Sequence, residues 1–206
     1  MKKELELVLA KLKALEKPKV ALEQYTIPAS LAAEIINIAY ISGDIKGKLV
    51  LDAGCGSGRL AIGAAIAGAK KVVGIDVDPD AISQAKENLK IAESLVDEKL
   101  NVEFVCKPIE KWDKKCDTVL QNPPFGIKSK QKDRTFLEKA MSVGKKVYSL
   151  HRDGREDIRK FISNVVAACN CSVESIFKLR FFLPHTFKFH KKPKIRYDVD
   201  LYVIRC

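Results

Sequence analysis

Apolar residues follow two different spacings along the chain, and the change falls near residue 48. In the first segment, leucines and a valine recur every three or four residues, which predicts a helix over residues 3–16. A proline ends this helix, and Pro28 opens a second one that runs to about Tyr40. Residues 1–45 are therefore predicted to form an N-terminal helical extension.

Beyond this extension, short apolar runs alternate with helical patterns. Strands are predicted near residues 48–52, 71–76, 101–105, 117–121 and 146–150, and helices near 59–67, 79–92, 133–142 and 154–168. The runs are apolar throughout, which is typical of parallel strands buried on both faces. Two last runs, 173–181 and 197–205, have no helix between them and predict an antiparallel hairpin at one sheet edge. The pattern as a whole predicts an α/β fold with helices on both faces of the sheet.

A glycine-rich loop connects the first strand to the next helix and is a candidate cofactor site. It reads Asp52-Ala53-Gly54-Cys55-Gly56-Ser57-Gly58. Its glycines permit positive φ and close approach of the backbone to a ligand. Asp52 suits a cationic group better than a pyrophosphate, and Asp76, at the end of the second strand, suits the two hydroxyls of a ribose. The pair favours S-adenosylmethionine, whereas the glycine spacing alone leaves NAD as an alternative.

The fourth strand is followed by the tetrapeptide Asn122-Pro123-Pro124-Phe125. Two prolines stiffen the loop and remove two backbone donors, so that it presents acceptors. An Asn oxygen beside a proline carbonyl suits the NH2 group of a planar π-system, and Phe125 offers a face for stacking. A plain Pro-Pro turn capped by Asn remains the alternative on these residues alone.

The adenine end of such a cofactor would meet the stretch after the third strand, where Lys107 and Pro108 lie. A lysine ammonium cannot accept a bond from an adenine amino group, so the backbone would have to accept it.

Composition adds a polyanionic partner and an intracellular location to this picture. The chain of 206 residues carries a formal net charge of +11, which favours nucleic acid, although a lysine-rich solvated surface explains the charge equally well. No apolar run approaches the roughly 20 residues of a membrane span, and the N-terminus lacks a signal-peptide core. We therefore predict a cytoplasmic protein. The six cysteines show neither zinc spacing nor CxxC pairs, which predicts no metal and no disulfide framework.

Two basic stretches are candidate RNA contacts, because cations and aromatic rings suit backbone contact and base stacking. One follows the tetrapeptide, and the other lies in the loop of the C-terminal hairpin. The candidates are Lys128, Lys130, His185, Phe187, Lys188, Lys191 and Lys192. About half of the hairpin aromatics are expected in the core, and His151 is interpreted as a buried strand-end histidine rather than a catalyst.

Taken together, the two motifs resemble those of class I S-adenosylmethionine-dependent N6-adenine methyltransferases. Flanking residues are similar to the methyltransferase-like protein 5 family, with an archaeal member expected: Glu23-Gln24-Tyr25, Tyr148-Ser149-Leu150-His151, Leu183-Pro184 and Lys188-Phe189-His190-Lys191-Lys192. The resemblance implies a single Rossmann-like methyltransferase domain over residues 1–206, with a seven-stranded sheet and the extension packed over the cofactor. It also implies methylation of an adenosine in small-subunit ribosomal RNA, and a small zinc-binding activator as a partner.

The resemblance further implies a set of cofactor contacts. These are Gln24, Thr26, Gly54, Ser57, Arg59, Asp76 and the backbone of Lys107 and Pro108. Tyr25, Asp52, Gly56 and Val77 complete the predicted set of cofactor residues. Asn122 and Pro123 would hold the target amine. Three other functions stay open: a protein glutamine N5-methyltransferase, a non-catalytic RNA-binding factor on the same fold, and a nicotinamide-dependent oxidoreductase.

Overall fold

A computed structural model describes residues 1–124, 130–152, 156–184 and 194–206, and excludes the side chains of residues 20, 130–132, 182–184 and 194–197. The helices are α1 (Lys2–Ala10), α2 (Ala29–Ile41), α3 (Arg59–Ile66), α4 (Pro79–Val96), α5 (Lys130–Val143) and α6 (Glu156–Ala168). The strands are β1 (Leu49–Ala53), β2 (Lys71–Asp76), β3 (Val102–Cys106), β4 (Cys116–Gln121), β5 (Gly144–Arg152), β6 (Ser172–Pro184) and β7 (Lys194–Arg205). Two short 3-10 helices lie at Val20–Leu22 and Ile109–Lys111.

The strands form one seven-stranded sheet in the order β3-β2-β1-β4-β5-β7-β6. The first five strands in this order pair in parallel, and β7 is antiparallel to both of its neighbours. The predicted mostly parallel sheet with an antiparallel C-terminal hairpin is confirmed. The chain order reverses between β1 and β4, so the loops that follow these two strands leave the same edge side by side, where such sheets bind ligands.

Each face of the sheet carries its own apolar core. On one face, side chains of α1 to α4 pack together, among them Leu9, Ile36 and Ile62. On the other, α5 and α6 pack with Trp112 against the central strands. The helices on both faces follow from strands that are apolar on both sides.

The first helix ends at Ala10 and not near residue 16, so this part of the prediction is wrong. Leu12 is buried, but it lies in a turn instead of a further helical turn. The backbone of Lys13 leaves the helix because its N–H donates to Asn88 Oδ1 at 2.8 Å and its carbonyl accepts from Asn88 Nδ2 at 3.0 Å. Tertiary contacts therefore replace the local hydrogen bonds that would have continued the helix.

Cys171 and Cys206 form a disulfide, so the prediction for these two cysteines is also wrong. They flank the β6–β7 pairing, in which Ser172 stands opposite Arg205, and their Cα atoms are 4.5 Å apart. The antiparallel register thus brings together two residues that are 35 positions apart in the chain. Within the described residues, Cys55, Cys106, Cys116 and Cys169 are free thiols.

None of the helices among the described residues has the length and apolar character required to cross a bilayer. The same part of the chain contains no group of three or more His, Cys, Asp or Glu residues that could hold a metal ion.

Candidate functional site

The glycine-rich loop is fixed against the end of β2. The N–H groups of Gly54 and Cys55 both donate to the carbonyl of Ile75 at 2.9 Å, and Gly56 N–H donates to Asp76 Oδ2 at 2.9 Å. Gly58 precedes α3 with a φ of +83°, and a Cβ atom there would lie 2.8 Å from the Phe104 ring. Only glycine meets both demands at this position, which explains the last glycine of the motif.

The Asp76 carboxylate is held on both sides by backbone donors. Oδ2 accepts from Gly56, and Oδ1 accepts from the N–H of Asp78 at 2.9 Å. Burial raises the pKa of Asp76, and the N–H donors of Asp78 and Gly56 partly offset that rise. Each carboxylate oxygen has two lone pairs, so each can still accept a hydroxyl from a ligand in the adjoining cavity.

Asp52 is 1% exposed and lines the same cavity. Its Oδ2 accepts from the N–H of Ala61 at 2.9 Å, whereas Oδ1 has no hydrogen-bond partner within the described chain. Burial raises the pKa of Asp52 to about 7, and the nearby Asp76 carboxylate adds to the rise. A buried carboxylate oxygen without a donor is costly, and a cationic ligand group would relieve that cost.

The Asn122-Pro123-Pro124 loop faces this cavity from the end of β4. Asn122 and Pro124 line the cavity wall, whereas Pro123 is buried and does not. Asn122 Oδ1 accepts a hydrogen bond from the Tyr25 hydroxyl at 2.5 Å. Because β1 pairs with β4, the glycine loop and this loop open into one space of about 500 Å³.

A buried polar chain lies directly beneath the Asn122 loop. Gln121 Nε2 donates to Ser149 Oγ at 2.8 Å, and Ser149 Oγ is 2.7 Å from His151 Nε2. His151 Nδ1 is in turn 3.5 Å from Asp133 Oδ1. The order resembles a Ser-His-Asp triad, but Ser149 is fully buried and no substrate can reach it. This row of hydrogen-bonded side chains therefore stiffens the start of the Asn122 loop.

One wall of the cavity comes from the segment between α1 and α2, which we call the arm (residues 11–28). Its lining residues are Leu15, Leu22, Glu23, Gln24, Tyr25, Thr26 and Ile27. Gln24 Oε1 accepts from the N–H of Lys19 at 2.8 Å, and Gln24 Nε2 donates to Asp78 Oδ2 at 2.9 Å. Thr26 Oγ1 accepts from Leu15 N–H at 2.9 Å. The Gln24 and Thr26 side chains thus hold the arm in shape as well as lining the cavity.

Arg59, another predicted cofactor contact, does not line the cavity. Its guanidinium donates to the carbonyl of Ile27 at 2.7 Å and to that of Leu12 at 2.8 Å. Burial lowers the pKa of Arg59. The side chain ties both ends of the arm to the start of α3.

Asp78 was not among the site residues predicted from the sequence. It caps α4 through the N–H of Asp80 and also binds Gln24 and Lys19, whose Nζ lies 2.6 Å from Asp78 Oδ1. Burial acts to raise the pKa of Asp78, but the hydrogen bonds that its carboxylate accepts from Lys19, Gln24 and the Asp80 N–H outweigh burial and lower it. The Asp-Pro pair indicated a helix start, but nothing nearby in the sequence indicated the distant arm contacts.

The far end of the cavity is lined by Val77, Lys107, Pro108, Ile109 and Glu110. Lys107 N–H donates to the carbonyl of Asp76 at 2.8 Å, and its ammonium lies 5.9 Å from the centre of the Trp112 ring. Glu110 is a second residue that sequence reasoning missed. It brings a carboxylate to the wall where Lys107 offers none.

Most of the predicted cofactor residues share this cavity: Gln24, Tyr25, Thr26, Asp52, Gly54, Gly56, Ser57, Asp76, Val77, Lys107 and Pro108. Several other predicted site residues lie outside the described residues: Phe125, Lys128, His185, Phe187, Lys188, Lys191 and Lys192. Of Lys130 the structure describes only the backbone, at the first position of α5.

Comparison with known proteins gives relatives along the whole chain. The chain is 38% identical to an uncharacterized protein of Methanocaldococcus jannaschii, over 98% of this chain and 93% of that protein. It is 39% identical to the rRNA N(6)-adenosine-methyltransferase METTL5 of Danio rerio, over 96% of this chain and 95% of the relative.

Among solved structures, a candidate RNA methyltransferase of Pyrococcus horikoshii superposes with a TM-score of 0.88 at 36% identity, covering 99% of this chain and 97% of that one. Residues 36–123 also match the family of Ribosomal protein L11 methyltransferase (PrmA). The PrmA match contains the glycine loop and ends inside the Asn-Pro-Pro-Phe tetrapeptide, whereas the three proteins above match 96–99% of the chain.

Proposed function

The chain belongs to the METTL5 family of rRNA N(6)-adenosine-methyltransferases, and we propose that it methylates the N6 amine of one adenosine in small-subunit ribosomal RNA. It is an S-adenosylmethionine-dependent enzyme with a Rossmann-like class I fold. One observation supports the proposal: the glycine loop, Asp52, Asp76 and Asn122 line a single cavity.

The acidic groups of the cavity suit this cofactor. We propose that Asp76 accepts the ribose hydroxyls and that the unpartnered Oδ1 of Asp52 meets the ammonium group. S-adenosylmethionine, when bound, supplies an electrophilic methyl group on its sulfonium.

Asn122 would hold the acceptor amine from the cavity wall, and Pro123, which is buried beside the cavity, would contribute only its backbone carbonyl. The N6 lone pair is delocalised into the adenine ring, so the free amine is a poor nucleophile. Acceptors for both N–H bonds draw the nitrogen toward sp3 geometry and stabilise the positive charge that develops on it. Once methylated, this nitrogen loses a proton readily, so no side chain has to act as a strong base.

We propose Glu110 as the acceptor for the adenine amino group of the cofactor. The Lys107 ammonium cannot fill that role, and its backbone N–H is a donor already bound to Asp76. Glu110→Ala is expected to weaken cofactor binding about ten- to 100-fold in calorimetric titration, because one hydrogen bond to a charged group is lost. Glu98 is an exposed acidic residue beyond α4, and Glu98→Ala is the matched control. Equal cofactor affinities of the two variants would show that Glu110 does not bind the cofactor.

The substrate side is proposed from charge and composition. A base inside a paired RNA cannot enter this cavity, so a flipped or unpaired adenosine is expected. Lysines after the tetrapeptide and in the β6–β7 loop would bind its backbone, consistent with the net charge of +11.

Three further proposals concern the setting of the reaction. Residues 1–206 would act as one domain with residues 1–45 packed over the cofactor, since the arm lines the cavity. A ribosomal RNA substrate would place the reaction in the cytoplasm. A small zinc-binding activator subunit is a candidate partner. Full turnover by the isolated chain would show that no activator is required.

A protein substrate is the second candidate, because the PrmA family match covers residues 36–123. That match is confined to the part shared by methyltransferases with different acceptors. The short N-terminal extension and the strong positive charge favour an RNA substrate.

The test is transfer of labelled methyl from S-adenosylmethionine to small-subunit RNA, followed by nucleoside analysis. The expected product is N6-methyladenosine in RNA. Label in a protein, with none in RNA, would contradict the proposal.

A further inference from the structure

The arm reaches the amine-binding loop through one hydrogen bond. The Tyr25 hydroxyl donates to Asn122 Oδ1 at 2.5 Å, across 97 positions of sequence, and both residues line the cavity and are half-buried. The sequence placed Tyr25 among the cofactor contacts. The structure also bonds its hydroxyl to the residue proposed to hold the target amine.

The contact with Tyr25 favours one of the two orientations of the Asn122 amide. Its oxygen and its NH2 group are nearly the same size, so the amide can exchange them by a half-turn. A separation of 2.5 Å lies within the range of O–H···O bonds and below that of N–H···O bonds. The amide oxygen therefore faces Tyr25. After the half-turn, the amide would offer donors to an incoming amine that also carries donors.

The Tyr25 hydroxyl does not use the full hydrogen-bonding capacity of Asn122 Oδ1. An amide oxygen has two lone pairs, and Tyr25 takes one of them. The other stays available to an N–H of the target amine.

Tyr25 can exert this control because its neighbours hold it. Gln24 is bonded at both ends of its amide, to Lys19 and to Asp78, and Thr26 accepts from Leu15 N–H. The backbone on either side of the tyrosine is thereby fixed before any ligand arrives, so little conformational freedom has to be lost later.

We propose that Tyr25 is a positioning residue that locks the Asn122 amide with its oxygen toward the acceptor amine. This inference rests on the proposed amine methylation. It also couples the arm to catalysis, in addition to the role of the arm as a cavity wall.

The experiment compares Tyr25→Phe in two backgrounds. In the wild-type background the lost hydroxyl should lower kcat about tenfold, the upper range for one hydrogen bond, with the Kd of S-adenosylmethionine unchanged within about twofold. In an Asn122→Asp background the same change should cost less than about twofold, because a carboxylate presents oxygen in both orientations. Tyr40→Phe, a tyrosine of α2 outside the cavity, is the matched control.

Several outcomes would overturn the inference. An equal loss in both backgrounds would show that the hydroxyl does not act through amide orientation. A rise in cofactor Kd that matches the loss of rate would return Tyr25 to cofactor binding, and a faster Tyr25→Phe enzyme would make the hydroxyl an obstacle to the substrate. Thermal melts of all variants check that each is folded.

Failure of the proposed function is a separate result. It is seen when wild-type enzyme forms no N6-methyladenosine in RNA. The two-background comparison is then run on whichever amine takes the labelled methyl, and it still decides the role of Tyr25.

Discussion

Asn122 and Asp76 lie in one cavity but are assigned to different partners, and substitution can separate them. Asn122→Ala is expected to lower turnover at least about 100-fold, the usual cost of removing a group that stabilises developing charge, with cofactor affinity near wild type. Asp76→Ala should weaken cofactor binding roughly ten- to 100-fold, because charge-assisted hydrogen bonds are lost. Single-turnover assays and calorimetric titration measure the two effects. Parallel loss of both quantities in Asn122→Ala would indicate a folding or cofactor role.

The buried carboxyl of Asp52 predicts a pH dependence at the residue scale. Its pKa is raised from 3.8 to about 7, so between these pH values the folded protein keeps a proton that the unfolded chain has released. This group therefore costs stability progressively as pH rises through that interval. A cationic ligand group prefers the ionised carboxylate, so affinity for S-adenosylmethionine should increase from about pH 6 to about pH 8.

Asp52→Asn is the control for this titration, because it keeps the shape of the side chain and cannot ionise. The variant should bind the cofactor more weakly and with a flatter pH profile. An unchanged profile in Asp52→Asn would assign the dependence to another group, such as Asp76, whose pKa is also raised by burial.

At the scale of the element, the arm depends on Arg59 for its attachment to α3. Arg59→Leu leaves the carbonyls of Leu12 and Ile27 without their donors, at about 1–3 kcal/mol for each buried group. For a chain of this size we expect Tm to fall by about 4–24 °C, and cofactor affinity to fall with it. Scanning calorimetry and cofactor titration measure the two.

The control is Arg134→Ala, which removes an exposed arginine paired with Glu138 along α5. Its Tm should stay within about 1 °C of wild type, as is usual for surface ion pairs. If Arg59→Leu weakens cofactor binding without lowering Tm, the arginine contacts the cofactor directly, as the sequence predicted.

The sheet elements could be predicted because apolar periodicity reports burial, and their parallel pairing followed from strands that alternate with helices. The same signal misled at α1, since Leu12 continues the helical spacing while lying in a buried turn. Asp52, Asp76 and Asn122 were recognisable because they stand directly at strand ends, where ligands bind in such sheets.

The contacts of the arm could not be predicted in the same way. Some of them join residues more than 50 positions apart, such as Gln24 with Asp78 and Tyr25 with Asn122, through hydrogen bonds that leave no periodic trace. The disulfide escaped prediction for the same reason, because it depends on the register of β6 against β7.

For the molecule as a whole, the Cys171–Cys206 bond closes a covalent ring around β6, β7 and the loop between them. Loop-closure entropy over 35 positions corresponds to about 4 kcal/mol of stabilisation. Cys206→Ser is therefore expected to lower Tm by about 8–16 °C relative to the oxidised wild type. Cys169→Ser, which removes a free thiol, should leave Tm nearly unchanged. Identical melting of the wild type with and without reductant would show that the bond does not form.

Asp78 connects the arm to the start of α4, so a change at one should be detectable at the other. The carboxylate that accepts the Asp80 N–H at the start of α4 also accepts donors from Lys19 and Gln24 of the arm. When the arm leaves its place, the carboxylate loses those donors and becomes free to reorient, and the Asp80 amide becomes more accessible to solvent. Hydrogen–deuterium exchange at this amide should thus slow when cofactor holds the arm in place. A single backbone proton would then report how firmly the arm is held against the start of α4.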